Sequence, residues 1–217
     1  MDGQLSAPRG GEEGRSAYKR RAIIDAARTL FLRHGYAGAS MDDIATLAKV
    51  SKPTVYKNFS DKSRLFTDLI TGDIARYDRP VDALILAMPD SQDIERDLRL
   101  FARQHLATVM RPDLLRMRRV IIGEAERFPD LAQAWWDSGP ELSYAMFARW
   151  FEAFGRRGLL RVDDPMLAAQ HFNWLVLSIP LNKAMACQLD PPPFTPEELD
   201  HYADEGVRAF LAAYSTT

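Results

Sequence analysis

The sequence predicts an all-α protein, with a short N-terminal helix-turn-helix unit ahead of a longer bundle of helices. Three observations predict it. Apolar residues recur at the three-to-four-residue spacing of a helix face almost throughout the chain. Alternating Val, Ile and Thr runs, the mark of half-buried strands, are absent. Helix starts are written as a capping residue followed by proline or an acid, as at Asp164-Pro165 and Thr195-Pro196-Glu197-Glu198. With 217 residues, 47% of them apolar, the chain is long enough to bury a substantial core in one or two domains.

Residues 1–15, rich in Gly, Ser, Pro and Glu and without an apolar signal segment, read as a disordered leader. A first helix is expected from near Ser16 to Gly35, with Ile23, Ala27, Leu30, Phe31 and His34 on one face and Gly35 as a left-handed C-cap. Ser40 and Asp43 have capping-box spacing and open a two-turn helix whose apolar face is Met41, Ile44, Leu47 and Ala48. Lys49-Val50-Ser51 forms a three-residue turn. Ser51 is placed to cap the third helix, and Pro53 sits in its first turn, where a missing N–H is harmless. Val55 and Phe59, four residues apart, form the inner face, which leaves Lys52, Thr54, Tyr56, Lys57 and Asn58 on the others. Asp61 is placed to cap a fourth helix with Leu65, Phe66, Leu69, Ile70 and Ile74 on one side.

The stretch from Tyr77 to Ser91 contains Pro80 and Pro89 and reads as a connection with at most a short helix. Longer helices are expected from Ile94 to about Met110, from Pro112 to about Arg127, and from Pro129 to a break at Gly139-Pro140. Others follow from there to about Arg157, from Asp164 to about Ser178, and from Thr195 to near Tyr214. The implied division is a helix-turn-helix domain over 16–66 and a second domain over 67–217.

Charge separates the same two parts. The whole chain carries 28 Lys and Arg against 30 Asp and Glu, a net charge of −2. Residues 1–66 hold 12 basic and 7 acidic residues, a balance of +5, which leaves −7 on residues 67–217. The third helix has no acidic residue between Ser51 and Ser60 and carries two lysines. A helix that enters a groove lined by phosphates needs that pattern. Other chemistries find little support. The single cysteine, Cys187, excludes a disulfide framework and a cysteine-cluster metal site. There is no Gly-rich phosphate loop, His-Glu-x-x-His or nucleophile elbow, and His34, His105, His171 and His201 are scattered, so no catalytic residue, metal or cofactor is expected. No stretch reaches the ~18 apolar residues of a membrane span, and a cytoplasmic protein with Cys187 reduced is expected.

The run Val50-Ser51-Lys52-Pro53-Thr54-Val55-Tyr56-Lys57-Asn58-Phe59-Ser60-Asp61-Lys62 closely resembles the signature of the TetR family of bacterial transcriptional regulators. The upstream stretches Ile23 to Phe31, Gly35-Tyr36 and Ser40 to Ala45 match it too, so the resemblance covers roughly residues 18–66. Gly123 to Leu131, Gly139-Pro140-Glu141 and the proline-rich segment from Pro191 to Glu198 look like the C-terminal domain of the AcrR-like and AefR-like branch. The resemblance implies about nine helices, a homodimer built from the last two long helices of each chain, and a repressor of a palindromic operator released by a small ligand. It departs from the family at Lys49, where Gly is common, and at Pro53, which offers a base edge only apolar contact.

On this resemblance Lys52, Thr54 and Lys57 are candidates for base-edge contact, Pro53 for contact with a thymine methyl, and Tyr56, Lys62 and Ser40 for contact with phosphates. In the C-terminal half an apolar ligand pocket is expected from Phe101, Met117, Phe147 and Trp174, with His105 or Asn173 supplying a hydrogen bond. The helix from Pro165 to Ser178, apolar on most sides, is expected at a dimer face. The expected partners are therefore duplex DNA, a hydrophobic small-molecule effector and a second copy of the chain, with no membrane. The residues leave open an activator of the same fold, or a helical protein that binds a small molecule or another protein.

Overall fold

A computed structural model describes residues 10–77 and 82–216. These residues form eleven α-helices, and their only β pairing is an isolated antiparallel bridge between Leu160 and Ser215. The helices are α1 (Gly10–Gly38), α2 (Met41–Leu47), α3 (Lys52–Asn58), α4 (Lys62–Tyr77), α5 (Asp82–Ala87), α6 (Ile94–Val109), α7 (Pro112–Glu124), α8 (Pro129–Ser138), α9 (Pro140–Arg156), α10 (Pro165–Ala186) and α11 (Pro196–Tyr214). The number exceeds the nine or so implied because α5 is a short helix of its own and α8 and α9 are separate. Residues 1–9 of the expected leader, and Pro80 in the expected connection, lie outside the described residues.

α1 begins at Gly10 rather than near Ser16, so residues 10–15 are helical. It breaks at Gly35, whose φ of 71° is positive as a C-cap requires, while its ψ of 174° is extended rather than left-handed helical. Ile23, Ala27 and Phe31 are fully buried, but His34 is exposed. In α2, Met41 and Ile44 are buried and Ala48 half-buried as expected, but Ala45 is buried in place of Leu47, which faces solvent. Ser40 caps α2 by accepting from Asp43 N at 3.1 Å. The capping box is incomplete, because the Ser40 hydroxyl donates to the Asp43 carboxylate instead of that carboxylate taking the Ser40 N–H. Ser51 makes no side-chain cap on α3; its hydroxyl pairs with Thr54 Oγ1 at 2.8 Å.

Two apolar clusters form the interior. The first gathers Ile23, Phe31, Tyr36, Ile44, Val55, Phe59, Phe66 and Leu69 with Met117, Ile121 and Leu131 of α7 and α8. The second joins α6, α9, α10 and α11 through Phe101, Phe147, Phe151, Phe172 and Phe210. α4 runs past residue 66 without a break, and α7 carries side chains into the first cluster, so the helix-turn-helix unit rests directly on the bundle. α10 continues through Pro180 to Ala186, eight residues beyond the expected end. Pro180 removes one backbone donor, but it is buried with Val176, Leu177, Leu181 and Ala184, and that packed face holds the helix together.

Candidate nucleic-acid interface and internal cavity

The helix-turn-helix unit is held from its inner face. Val55 and Phe59 are buried, Phe59 N–H closes α3 on Val55 O at 2.9 Å, and Asn58 Nδ2 donates to Thr54 O at 2.8 Å. That packing turns Lys52, Pro53, Tyr56 and Lys57 outward, all exposed, with Thr54 half-buried beside them. The α2–α3 turn places Lys49 at φ 55°, a left-handed position that Gly takes without strain and that costs Lys about 1 kcal/mol or more. Lys52 Nζ donates to Asp42 at 2.6 Å, and this bond holds the ammonium above its ordinary range. Both side chains of the pair are more than half exposed, so it is worth little and can be exchanged for a phosphate.

Two residues singled out in the sequence have other duties. Lys62 Nζ donates inward to Tyr36 O at 2.8 Å, Ala39 O at 3.0 Å and Ala37 O at 3.5 Å, and lies 4.5 Å from the centre of the Tyr36 ring. Burial pushes its pKa down, with Glu124 offsetting part of that. All three ammonium protons thus tie the α1–α2 junction to the start of α4. Ser40 is engaged with Asp43, and Asp42 and Asp43 already occupy the first turn of α2, leaving that helix end a poor seat for a phosphate. Arg20 pairs with Asp68 at 2.7 Å and lies 4.9 Å from the centre of the Phe59 ring.

A cavity of about 180 Å³ lies in the bundle. Five of the six expected residues line it: Phe101, His105, Met117, Asn173 and Trp174. Phe147 does not; it is fully buried behind the wall, 5.3 Å from Phe101 and 5.5 Å from His105 between ring centres. His105 Nε2–H donates to Asn173 Oδ1 at 3.2 Å, and burial pushes the His105 pKa down to about 4, so the ring is neutral at pH 7. Ile70 of α4 closes one side, and Trp135, Trp136, Tyr144 and Arg118 line others. These last four were missed in the sequence. Arg118 stands four residues after Leu114 on one face of α7, and a charge set into an apolar stripe was the signal available.

Met117 belongs to both the cavity wall and the first apolar cluster, and so does Ile70. Further along α7, Glu124 Oε1 accepts from Ala37 N at 3.2 Å, at the junction that Lys62 holds. α4 and α7 therefore connect the cavity to the helix-turn-helix unit through continuous packing and one hydrogen bond.

Residues 23–69 match the family described as "Bacterial regulatory proteins, tetR family", and residues 96–216 match the "AefR-like transcriptional repressor, C-terminal domain". A solved TetR-family transcriptional regulator from Mesorhizobium loti MAFF303099 is 39% identical, covering 93% of this chain and 99% of that one, with a TM-score of 0.82. The "Flavonoid-responsive Regulator FrrA" is 33% identical over 91% of this chain and 97% of that one, with a TM-score of 0.74. Among curated proteins, the HTH-type transcriptional repressor AcnR of Corynebacterium efficiens is 27% identical over 68% of this chain and 71% of its own length. The chain matches 42% of the length of YhgD of Bacillus subtilis and 50% of that of AcnR of Corynebacterium diphtheriae. Among the described residues, no helix is long and apolar enough to cross a membrane. With the helix-turn-helix geometry and both halves of the chain matched, this protein belongs to the TetR family of bacterial transcriptional regulators.

Proposed function

We propose that two copies of the chain bind a palindromic DNA operator through their α3 helices as a repressor, and that an apolar small molecule in the bundle cavity releases them. The observation that carries this reading is the outer face of α3. Buried Val55 and Phe59 anchor a seven-residue helix that turns Lys52, Pro53, Thr54, Tyr56 and Lys57 outward and has no acidic residue of its own. Lys52, Thr54 and Lys57 supply base-edge contacts, Pro53 an apolar contact to a thymine methyl, and Tyr56 a phosphate contact. Ser40 and Lys62 shape the motif rather than touch DNA.

The second copy docks on α10. Leu167, His171, Leu175 and Ile179 recur every four residues along one exposed stripe, with Leu167 45% and Ile179 60% accessible. An apolar stripe of this kind on a long helix favours a covered interface. Repression is supported by relatives named as repressors. An activator relative, FasR of Mycolicibacterium smegmatis, matches only 67 residues. An aromatic effector is supported by the rings around the cavity and by the flavonoid response in the name of one similar regulator. Filling the cavity displaces Ile70 and Met117, and through α4 and α7 changes the separation of the two α3 helices. DNA and effector then oppose each other by a coupling of about 1–3 kcal/mol.

Selection of bound duplexes from a random library tests this. The expected product is a palindrome with half-sites about one helical turn apart, and Thr54→Ala relaxes the preference at one position of each half-site. Recovery of no common sequence, or of one without two-fold symmetry, contradicts the proposal.

A further inference from the structure

Among the described residues the cavity wall carries one strong charge, and none of them forms an ion pair with it. Arg118 is half-buried in α7 and faces the cavity. Among the described residues it makes no ion pair; its guanidinium lies 4.8 Å from the centre of the Trp135 ring. Burial lowers its pKa, but a guanidinium stays charged in a protein. Three other polar side chains on the wall have protein partners. His105 is bonded to Asn173, the Ser143 hydroxyl donates to Gly139 O at 3.2 Å, and Trp136 Nε1 donates to Glu141 at 3.1 Å. Glu141, the carboxylate at this end of the cavity, is thus exposed and already held.

A half-buried cation set between the Trp135 ring and Tyr144, with no carboxylate paired to it among the described residues, favours an anion brought by the ligand, because a charge-assisted, two-pronged bond to acidic oxygens is strongest in water-poor surroundings. The surroundings fix the rest of the ligand. Trp135, Trp136, Tyr144 and Phe101 offer ring faces and edges to a flat apolar body. We propose that Arg118 makes this site selective for aromatic acids: planar ligands whose acidic oxygen, from a carboxylate or an ionised phenol, pairs with its guanidinium. This rests on the cavity being the effector site.

Trp135, Trp136 and Trp174 line the cavity, so tryptophan emission of the full-length chain reports binding directly. Three probes of one shape separate the terms: 2-naphthoate, 2-naphthol and neutral 2-naphthalenemethanol. The expected result is that naphthoate binds at least about tenfold more tightly than the neutral alcohol. Arg118→Gln abolishes this preference, so that naphthoate and the alcohol bind alike. Arg118→Lys keeps the charge and retains a reduced preference, which serves as the test if the Gln variant does not fold. Naphthol that tightens as rising pH ionises it extends the class to phenols; naphthol that binds like the alcohol at every pH restricts it to carboxylates. Equal binding of naphthoate and the alcohol to the native chain, or an undiminished preference in folded Arg118→Gln, overturns the role of Arg118 and leaves the cavity reading intact. Unchanged emission with all three probes overturns both.

Discussion

His105 is neutral inside the bundle because burial outweighs its single hydrogen bond to Asn173. The unfolded chain binds a proton there near pH 6.5, and the folded chain binds it only near pH 4. Between those values the unfolded state holds more protons, so stability falls as pH falls, by up to about 3 kcal/mol. Urea unfolding at steps from pH 7 to pH 4 should show this decline, and His105→Gln should flatten it; an unchanged slope in the variant places the proton elsewhere. His105 and Asn173 were legible as cavity residues because each sits among apolar residues at helical spacing. Lys62 was not legible. A lysine at the start of a helix beside a groove-reading motif has the chemistry of a phosphate contact, and only the path of the chain from Gly35 to Ser40 brings three carbonyls to its ammonium. Arg118 shows the opposite case, a charge whose place in an apolar stripe was visible but whose cavity depends on six other helices.

Helix boundaries followed the local chemistry wherever a cap or proline was satisfied by its own neighbours. Asp164 Oδ1 accepts from Met166 N at 2.9 Å and Leu167 N at 3.0 Å, and the Thr195–Glu198 box closes in both directions at 3.2 and 2.7 Å. The end of α10 was missed because burial of Pro180 outweighs its lost donor, and burial is not a local property. A closer contact ties α10 to α11. A β-carbon at Gly206 would stand 2.7 Å from Leu175 O and 2.9 Å from Val176 Cα, backbone atoms that yield only if the helices separate. Gly206→Ala should therefore destabilise the fold by about 1–3 kcal/mol despite the better helix propensity of alanine. A denaturation midpoint at or above that of the native chain would show that the two helices have room to part.

At the scale of the molecule the two clusters are joined, not merely adjacent. α4 leaves the helix-turn-helix unit with Ile70 on the cavity, and α7 returns from the cavity with Ile121 in the first cluster and Glu124 at Ala37. The net charge of −2 hides a basic reader and an acidic body, and that asymmetry favours approach of DNA through the α3 face. The central claim is that this face binds duplex DNA by neutralising phosphates. Fluorescence anisotropy of the full-length chain on DNA from upstream of its own coding sequence, or on a selected palindrome, measures it most directly when titrated between 50 and 200 mM salt. Affinity should fall by about a hundredfold over that range, linearly in log–log form, as Lys52 and Lys57 of the two copies displace about four counterions. No binding at 50 mM salt, or an affinity indifferent to salt, would contradict the claim.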